Sequence, residues 1–164
     1  MDRKLEYIRN FVFGVEDSLV STVGLVSGIA VTGMSRQNIV LTGIVLVFVE
    51  AFSMGVGSLL SQNSVQEFEG KKAEPLRSAF GGSIIMFISY LLSGFLVVLP
   101  YALTVSEAAL PWSIIISLVG LFSLGAVSGK FSNTSPLKKG ATMSLLGGFA
   151  IAIGMIVGIL VKQI

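Results

Sequence analysis

A chain of 164 residues that is 53% hydrophobic and only 12% charged, with a mean hydropathy of +0.89, falls outside the composition of soluble domains and reads as an integral membrane protein. The absence of cysteine and histidine excludes disulfides, thiolate or imidazole metal sites, and catalysis by a nucleophile–histidine pair. The excess of basic residues follows membrane topology, so no nucleic-acid partner is expected.

Charged and turn-rich clusters divide the sequence into five apolar segments, at 11–33, 39–60, 79–103, 111–129 and 141–161. Each is near the ~20 residues a helix needs to cross hydrocarbon. Connections of about ten to twenty residues are too short for a self-supporting core. The expected fold is an all-α integral membrane protein, one five-helix transmembrane domain over 1–164. Arg3, Lys4 and Arg9 precede the first span, Lys71, Lys72 and Arg77 separate the second from the third, and Lys130, Lys138 and Lys139 separate the fourth from the fifth. Only Arg36 and Lys162 fall on the other side. The positive-inside rule then places the N-terminus in the cytoplasm and the C-terminus outside. The first span is too long, and too acidic at Glu16 and Asp17, for a cleaved signal peptide, and is expected to be retained.

In the first span Asn10, Gly14, Asp17, Ser21, Gly24 and Gly28 recur every three or four residues and so share one helical face. Such a face meets protein, either within the bundle or on a second copy of the chain. Glycines alone fit plain packing, but a packing seam gains nothing from a carboxylate. Glu16 points about 100° away from Asp17 on a helix, so Asp17 is the preferred pathway residue and Glu16 the weaker candidate.

The second span carries Glu50 near its middle, with Met54, Gly57 and Ser61 along the same stripe and Val45, Val47, Phe48 and Val49 around the other sides. A charge in lipid is costly and usually functional. From a rise of 1.5 Å per residue, Asp17 and Met54 each lie roughly 9 Å inside the cytoplasmic end of their spans, and Glu50 lies about a turn deeper. The three form steps of one route from cytoplasm to midplane. Two plain alternatives stand beside this: Glu50 as a neutral acid bonded to a neighbouring hydroxyl such as a serine, and Met54 as a packing residue. Glu67, Glu69 and Glu74 lie in the following polar segment, where they either gather cations or form solvated surface.

The third, fourth and fifth spans have no carboxylate or basic residue in their interiors and read as scaffold, including Met86, Tyr90, Met143 and Met155. Pro100 is expected to end or kink the third helix, and Tyr101 and Trp112 to sit at the outer interface.

Carboxylates with a thioether select softer divalent ions than an all-oxygen shell does. Asp17, Glu50 and Met54 therefore suit ferrous iron, with manganese, cobalt or zinc as companions. Carboxylates withdrawn from water also hold protons, so metal entry that displaces protons couples the two fluxes. No prosthetic group is expected; the metal is cargo.

The segments DSLVSTVGLVSGIA (17–30), EAFSMGVGSLLSQ (50–62), LPYAL (99–103) and LLGGFAIAIGMIVG (145–158) resemble, in order and spacing, helices of the vacuolar iron transporter family. That family includes the yeast vacuolar iron and manganese transporter and nodulin-like relatives. The resemblance implies a homodimer of five-helix subunits, with the first helices near the twofold axis and a metal path between subunits. It also implies ferrous iron moved out of the cytoplasm against protons, at a bacterial or archaeal plasma membrane or an organellar membrane such as the vacuole. Asp17 matches the family's pathway aspartate and Met54 its pathway methionine. This chain departs from the family at Ser18, where the family has glycine, and at Leu46, where many members carry glutamate. Glu50 stands one turn later, at a position often small. The connection after the second span is also too short for the metal-binding domain of better-known members, leaving Glu67 and Glu69 as at most a remnant.

The leading expectation is thus a non-enzymatic exporter of ferrous iron or manganese, by metal/proton antiport. Export of cobalt or zinc, or a non-transporting scaffold subunit, are the alternatives. An intramembrane aspartyl protease needs two facing aspartates, and only Asp17 lies in a span.

Overall fold

The computed structural model describes residues 3–68, 77–104 and 106–163. They form five α-helices and, among these residues, no strand: α1 Arg3–Val31, α2 Arg36–Phe68, α3 Arg77–Leu103, α4 Ser106–Phe131 and α5 Pro136–Lys162. All five are long and apolar enough to cross a membrane. Helices α2 to α5 contain their expected spans, α1 stops at Val31, two residues short of the expected 33, and α2 runs on to Phe68. Glu67 is therefore an exposed residue of the last turn of α2 rather than part of a loop. Glu69 and Glu74 lie outside the described residues.

The helices alternate in direction. Val47 fits against Gly94 and Gly43 against Val98, which sets α2 antiparallel to α3. Asn10 on Ser58 and Ser21 on Glu50 set α1 antiparallel to α2. Helices α1 and α5 run parallel, and Gly24 and Gly28 rest on the backbone at Ala150 and Gly154: a Cβ on Gly28 would stand 2.5 Å from the Gly154 carbonyl oxygen. Small residues of this kind let transmembrane backbones approach closely, where dispersion rather than the hydrophobic effect holds helices together. Helices α4 and α5 meet the same way, a Cβ on Gly125 lying 2.7 Å from the Lys139 carbonyl oxygen.

Helix α1 is the hub, packing on all four others. Leu19 and Val23 join Val97, Leu121, Met143 and Ile151 in one buried cluster, while Val26, Ile39, Tyr101 and Ala109 form a second. The remaining surface is apolar, with Leu41, Phe52, Leu92 and Phe149 all more than half exposed. In water such a surface aggregates, whereas against lipid it is the natural exterior. Pro100 neither ends α3 at once nor starts a break, since the helix continues to Leu103 and Thr104 N–H still bonds the Pro100 carbonyl at 2.9 Å. Arg36 caps that end, its Nε 2.7 Å from the Tyr101 carbonyl oxygen and its Nη2 on that of Ala102. A cation there meets both the orphan carbonyls and the negative end of the helix dipole.

Candidate site at the junction of α1, α2 and α3

Three helices meet at Glu50. Ser21 Oγ donates to Glu50 Oε2 at 3.1 Å, and the Tyr90 hydroxyl donates to the same oxygen. The two hydroxyls stand 2.6 Å apart. Tyr90 is fully buried, and its backbone is fixed by Ser18, whose Oγ donates to the Tyr90 carbonyl at 2.6 Å. Both donors act on Oε2, so Glu50 is anchored through one carboxylate oxygen. This corrects the scaffold reading of Tyr90: the third span supplies a donor to the midplane carboxylate. A tyrosine in mid-span was itself a signal, because in membranes the ring favours the interface and a buried hydroxyl needs a partner.

Asp17 is half-buried, one turn before Ser21, within electrostatic reach of Glu50. Glu16 lies near Asp17 and Lys139 of α5 instead, as the 100° step between neighbouring helical residues requires. Asp17 thus lies within electrostatic reach of Glu50, and Glu16 within reach of Asp17 and Lys139. Met54 is half-buried one turn from Glu50 on the same helix face. The pairs Asn10–Ser58 and Ser21–Glu50 bracket Asp17 and Met54 between them in the antiparallel register, at a common depth.

The small residues of α1 meet protein within the bundle. Gly24 and Gly28 of α1 are consumed by α5, and Gly14 by Met86 and Ser89 of α3, so these glycines meet the chain itself. On α2 the buried line is Gly43, Val47, Ala51 and Gly55, while Gly57 and Ser61 are exposed and nothing lies within 4 Å of a Cβ on Gly57. Val47 therefore belongs to the core, unlike the lipid-facing Val45, Phe48 and Val49. Glu50 and Met54 sit at the border between the two faces.

Among the described residues, no three acidic groups cluster as a metal cage. One chain brings two carboxylates and one thioether to this place. A groove of about 600 Å³ between α1 and α5 touches Ser21 on its way towards Thr32 and Val161. Its lining is dominated by Val20, Leu25, Ile153 and Val157, and such a wall does not replace the hydration of a cation. The polar residues lead the other way, along α1 and α2 through Asn10 and Ser58. Ser58 and Gln62, which bonds it at 3.3 Å, were not singled out from sequence, because each lies off the stripe that Glu50 and Met54 define.

The model of the VIT family matches residues 8–80 and 68–159. The chain is also similar to vacuolar iron transporter homolog 4 of Arabidopsis thaliana, at 30% identity over 162 residues, which covers 90% of this chain and 79% of the relative.

Proposed function

The chain belongs to the VIT family, and from that premise we propose that it is a metal transporter that exports ferrous iron, or manganese, from the cytoplasm in exchange for protons. The observation that carries this reading is the bond from Ser21 to Glu50, which sets Asp17, one turn before Ser21, within electrostatic reach of that carboxylate, with Met54 one turn along α2. Two carboxylates in hydrocarbon are costly unless a cation, a proton or a donor repays them. Glu50 is served by Ser21 and Tyr90 through Oε2, while Asp17 is half-exposed at a depth where the surroundings are apolar. The thioether of Met54 tilts the donor set from magnesium and calcium towards iron, with manganese, cobalt and zinc as competitors.

The working unit in this reading is a homodimer whose pathway lies at the twofold axis. Three donors from one chain are fewer than a divalent ion takes. Two copies facing each other supply four carboxylates and two thioethers, and cover the half-exposed Asp17 and the open face at Gly57 and Ser61. The bulk of the basic residues fall at the end of the bundle where α1 begins, which supports a cytoplasmic N-terminus.

The test is ferrous iron uptake into proteoliposomes carrying a pH-sensitive dye, with and without an imposed pH gradient. Antiport predicts metal entry matched by proton exit and accelerated by an acidic lumen. Metal entry without proton movement would remove the coupling, and a folded protein that moves none of iron, manganese, cobalt or zinc would favour the scaffold alternative.

A further inference from the structure

The groove between α1 and α5 takes no part in the transport reading above. It follows α1 from Ser21 to Thr32 and α5 along Ile153, Val157 and Val161, and it faces the membrane, since Ile153, Val157 and Val161 are each more than half exposed. The sequence makes it by omission. Gly154 and Gly158 of α5 lie against the backbone of Gly24 and Gly28, so no side chain fills the crease beside that contact. At a rise of 1.5 Å per residue the stretch from Ser21 to Thr32 is roughly 16 Å long, which is the depth of one leaflet of a hydrocarbon core about 30 Å thick.

Lys162 stands at the shallow end of the groove. Its Nζ lies 3.8 Å from the Cβ position of Gly33, between Thr32 and Met34, which both line the groove, as does its neighbour Val161. Among the described residues no carboxylate pairs with it. Nor do the last carbonyls of α1 call on it, because the amides of Thr32 and Gly33 bond those of Ile29 and Ala30 at 3.1 and 3.2 Å. Arg36, the other basic residue of this side, is engaged on the carbonyls that end α3. An apolar slot one leaflet deep thus opens beside a cation that lacks a counter-charge. That combination matches a phospholipid, whose tail is apolar and whose phosphate pairs with an ammonium at the membrane surface. We propose that the groove binds one acyl chain of an anionic phospholipid, from the leaflet where α1 ends, with the phosphate on Lys162.

A helix of a second copy is the competing occupant, and the extent of the groove argues against it. A spanning helix packs along the whole hydrocarbon depth, whereas this groove stops at Ser21. The residues that the proposed dimer covers, Asp17, Gly57 and Ser61, lie towards the opposite end of the bundle, where Ser58 meets Asn10. The apolar wall alone does not set this lipid apart from its neighbours, because every lipid tail is equally apolar; the charge at Lys162 does. The inner end of the bound chain lies against Ser21, which donates to Glu50, so hydrocarbon closes this side of the junction to water. The binding itself is independent of the transport reading.

The experiment is native mass spectrometry of the full chain, released from mixed micelles of phosphatidylglycerol and phosphatidylcholine, with the retained lipids counted. The expected result is one phosphatidylglycerol per chain, preferred about fivefold over phosphatidylcholine, the effect of one lysine at a membrane surface. Lys162→Gln should abolish that preference. Val157→Trp and Ile153→Trp, which fill the groove from exposed positions, should each release the lipid, with gel filtration and circular dichroism confirming the fold. The chain has no cysteine, so Val157→Cys provides a unique probe for the competing occupant. Absence of a retained lipid overturns the proposal, as does equal retention in the natural chain and in folded Val157→Trp and Ile153→Trp, or a lipid preference unchanged by Lys162→Gln. A disulfide-linked dimer formed readily through Val157→Cys would give the groove to a second copy and also overturn it.

Discussion

Replacing Tyr90 with phenylalanine removes one hydroxyl and leaves the ring, so the fully buried position keeps its packing and the change isolates the bond to Glu50. Hydrogen bonds to charged groups in soluble proteins contribute about 1.5–3 kcal/mol. That range overstates the effect in lipid, where the unfolded chain also finds partners and measured couplings average about 0.6 and reach about 1.7 kcal/mol. Two donors share Glu50 Oε2, and Ser21 also bonds Tyr90, so deleting Tyr90's hydroxyl removes two contacts and disturbs the one that remains, Ser21 to Glu50. The expected loss is therefore near the upper part of the membrane range, about 1–2 kcal/mol. Unfolding in mixed micelles with increasing sodium dodecyl sulfate, followed by circular dichroism, reads it directly. A double-mutant cycle with Glu50→Met, which removes the acceptor and keeps the length of the side chain, should recover most of that loss as coupling. A coupling near zero would refute the junction, and with it the claim that α3 holds the midplane carboxylate in place.

Glu16→Gln should leave metal uptake close to that of the natural chain, because Glu16 faces Lys139 and not Glu50; a loss as large as that of Asp17→Asn would contradict the assignment of the two acids. Gly28→Ala sets a methyl 2.5 Å from the Gly154 carbonyl oxygen and should cost about 1–3 kcal/mol in the same unfolding assay as α1 and α5 are forced apart. Gly57→Leu meets nothing within the chain at its Cβ; it should leave the fold intact while shifting a dimer towards monomer in detergent, and an unchanged dimer would place the interface elsewhere. Arg36→Gln removes the cation on the Tyr101 and Ala102 carbonyls and should lower stability by about 1 kcal/mol without altering uptake.

The five helices were legible because hydrocarbon thickness imposes a length that the sequence keeps five times. Two basic residues, Arg36 and Lys162, stand opposite the others in the sequence, and the fold gives Arg36 a local reason, since it caps the end of α3. A common depth for Asp17 and Met54 followed from helix rise, and the bond from Ser21 to Glu50 sets the register that agrees with it. Tyr90 did not, because α3 carries no acidic or basic residue in its interior to single out a face, and a lone aromatic in an apolar helix looks the same whether it packs or donates. The packed face of α2 was not legible for a related reason: the polar stripe of Glu50, Met54, Gly57 and Ser61 does not mark it, because packing is set by where α3 offers room, and Gly94 makes that room for Val47.

The central claim, that metal crosses the membrane past Asp17 and Met54, is tested most directly by the initial rate of ferrous iron uptake into proteoliposomes under a fixed pH gradient, comparing the natural chain with Asp17→Asn and Met54→Ala at equal amounts of folded protein. The account predicts that both variants lose most of the gradient-driven uptake, with their folding and oligomeric state unchanged. Full-rate uptake in folded Asp17→Asn would contradict it, because the proposed route passes that carboxylate.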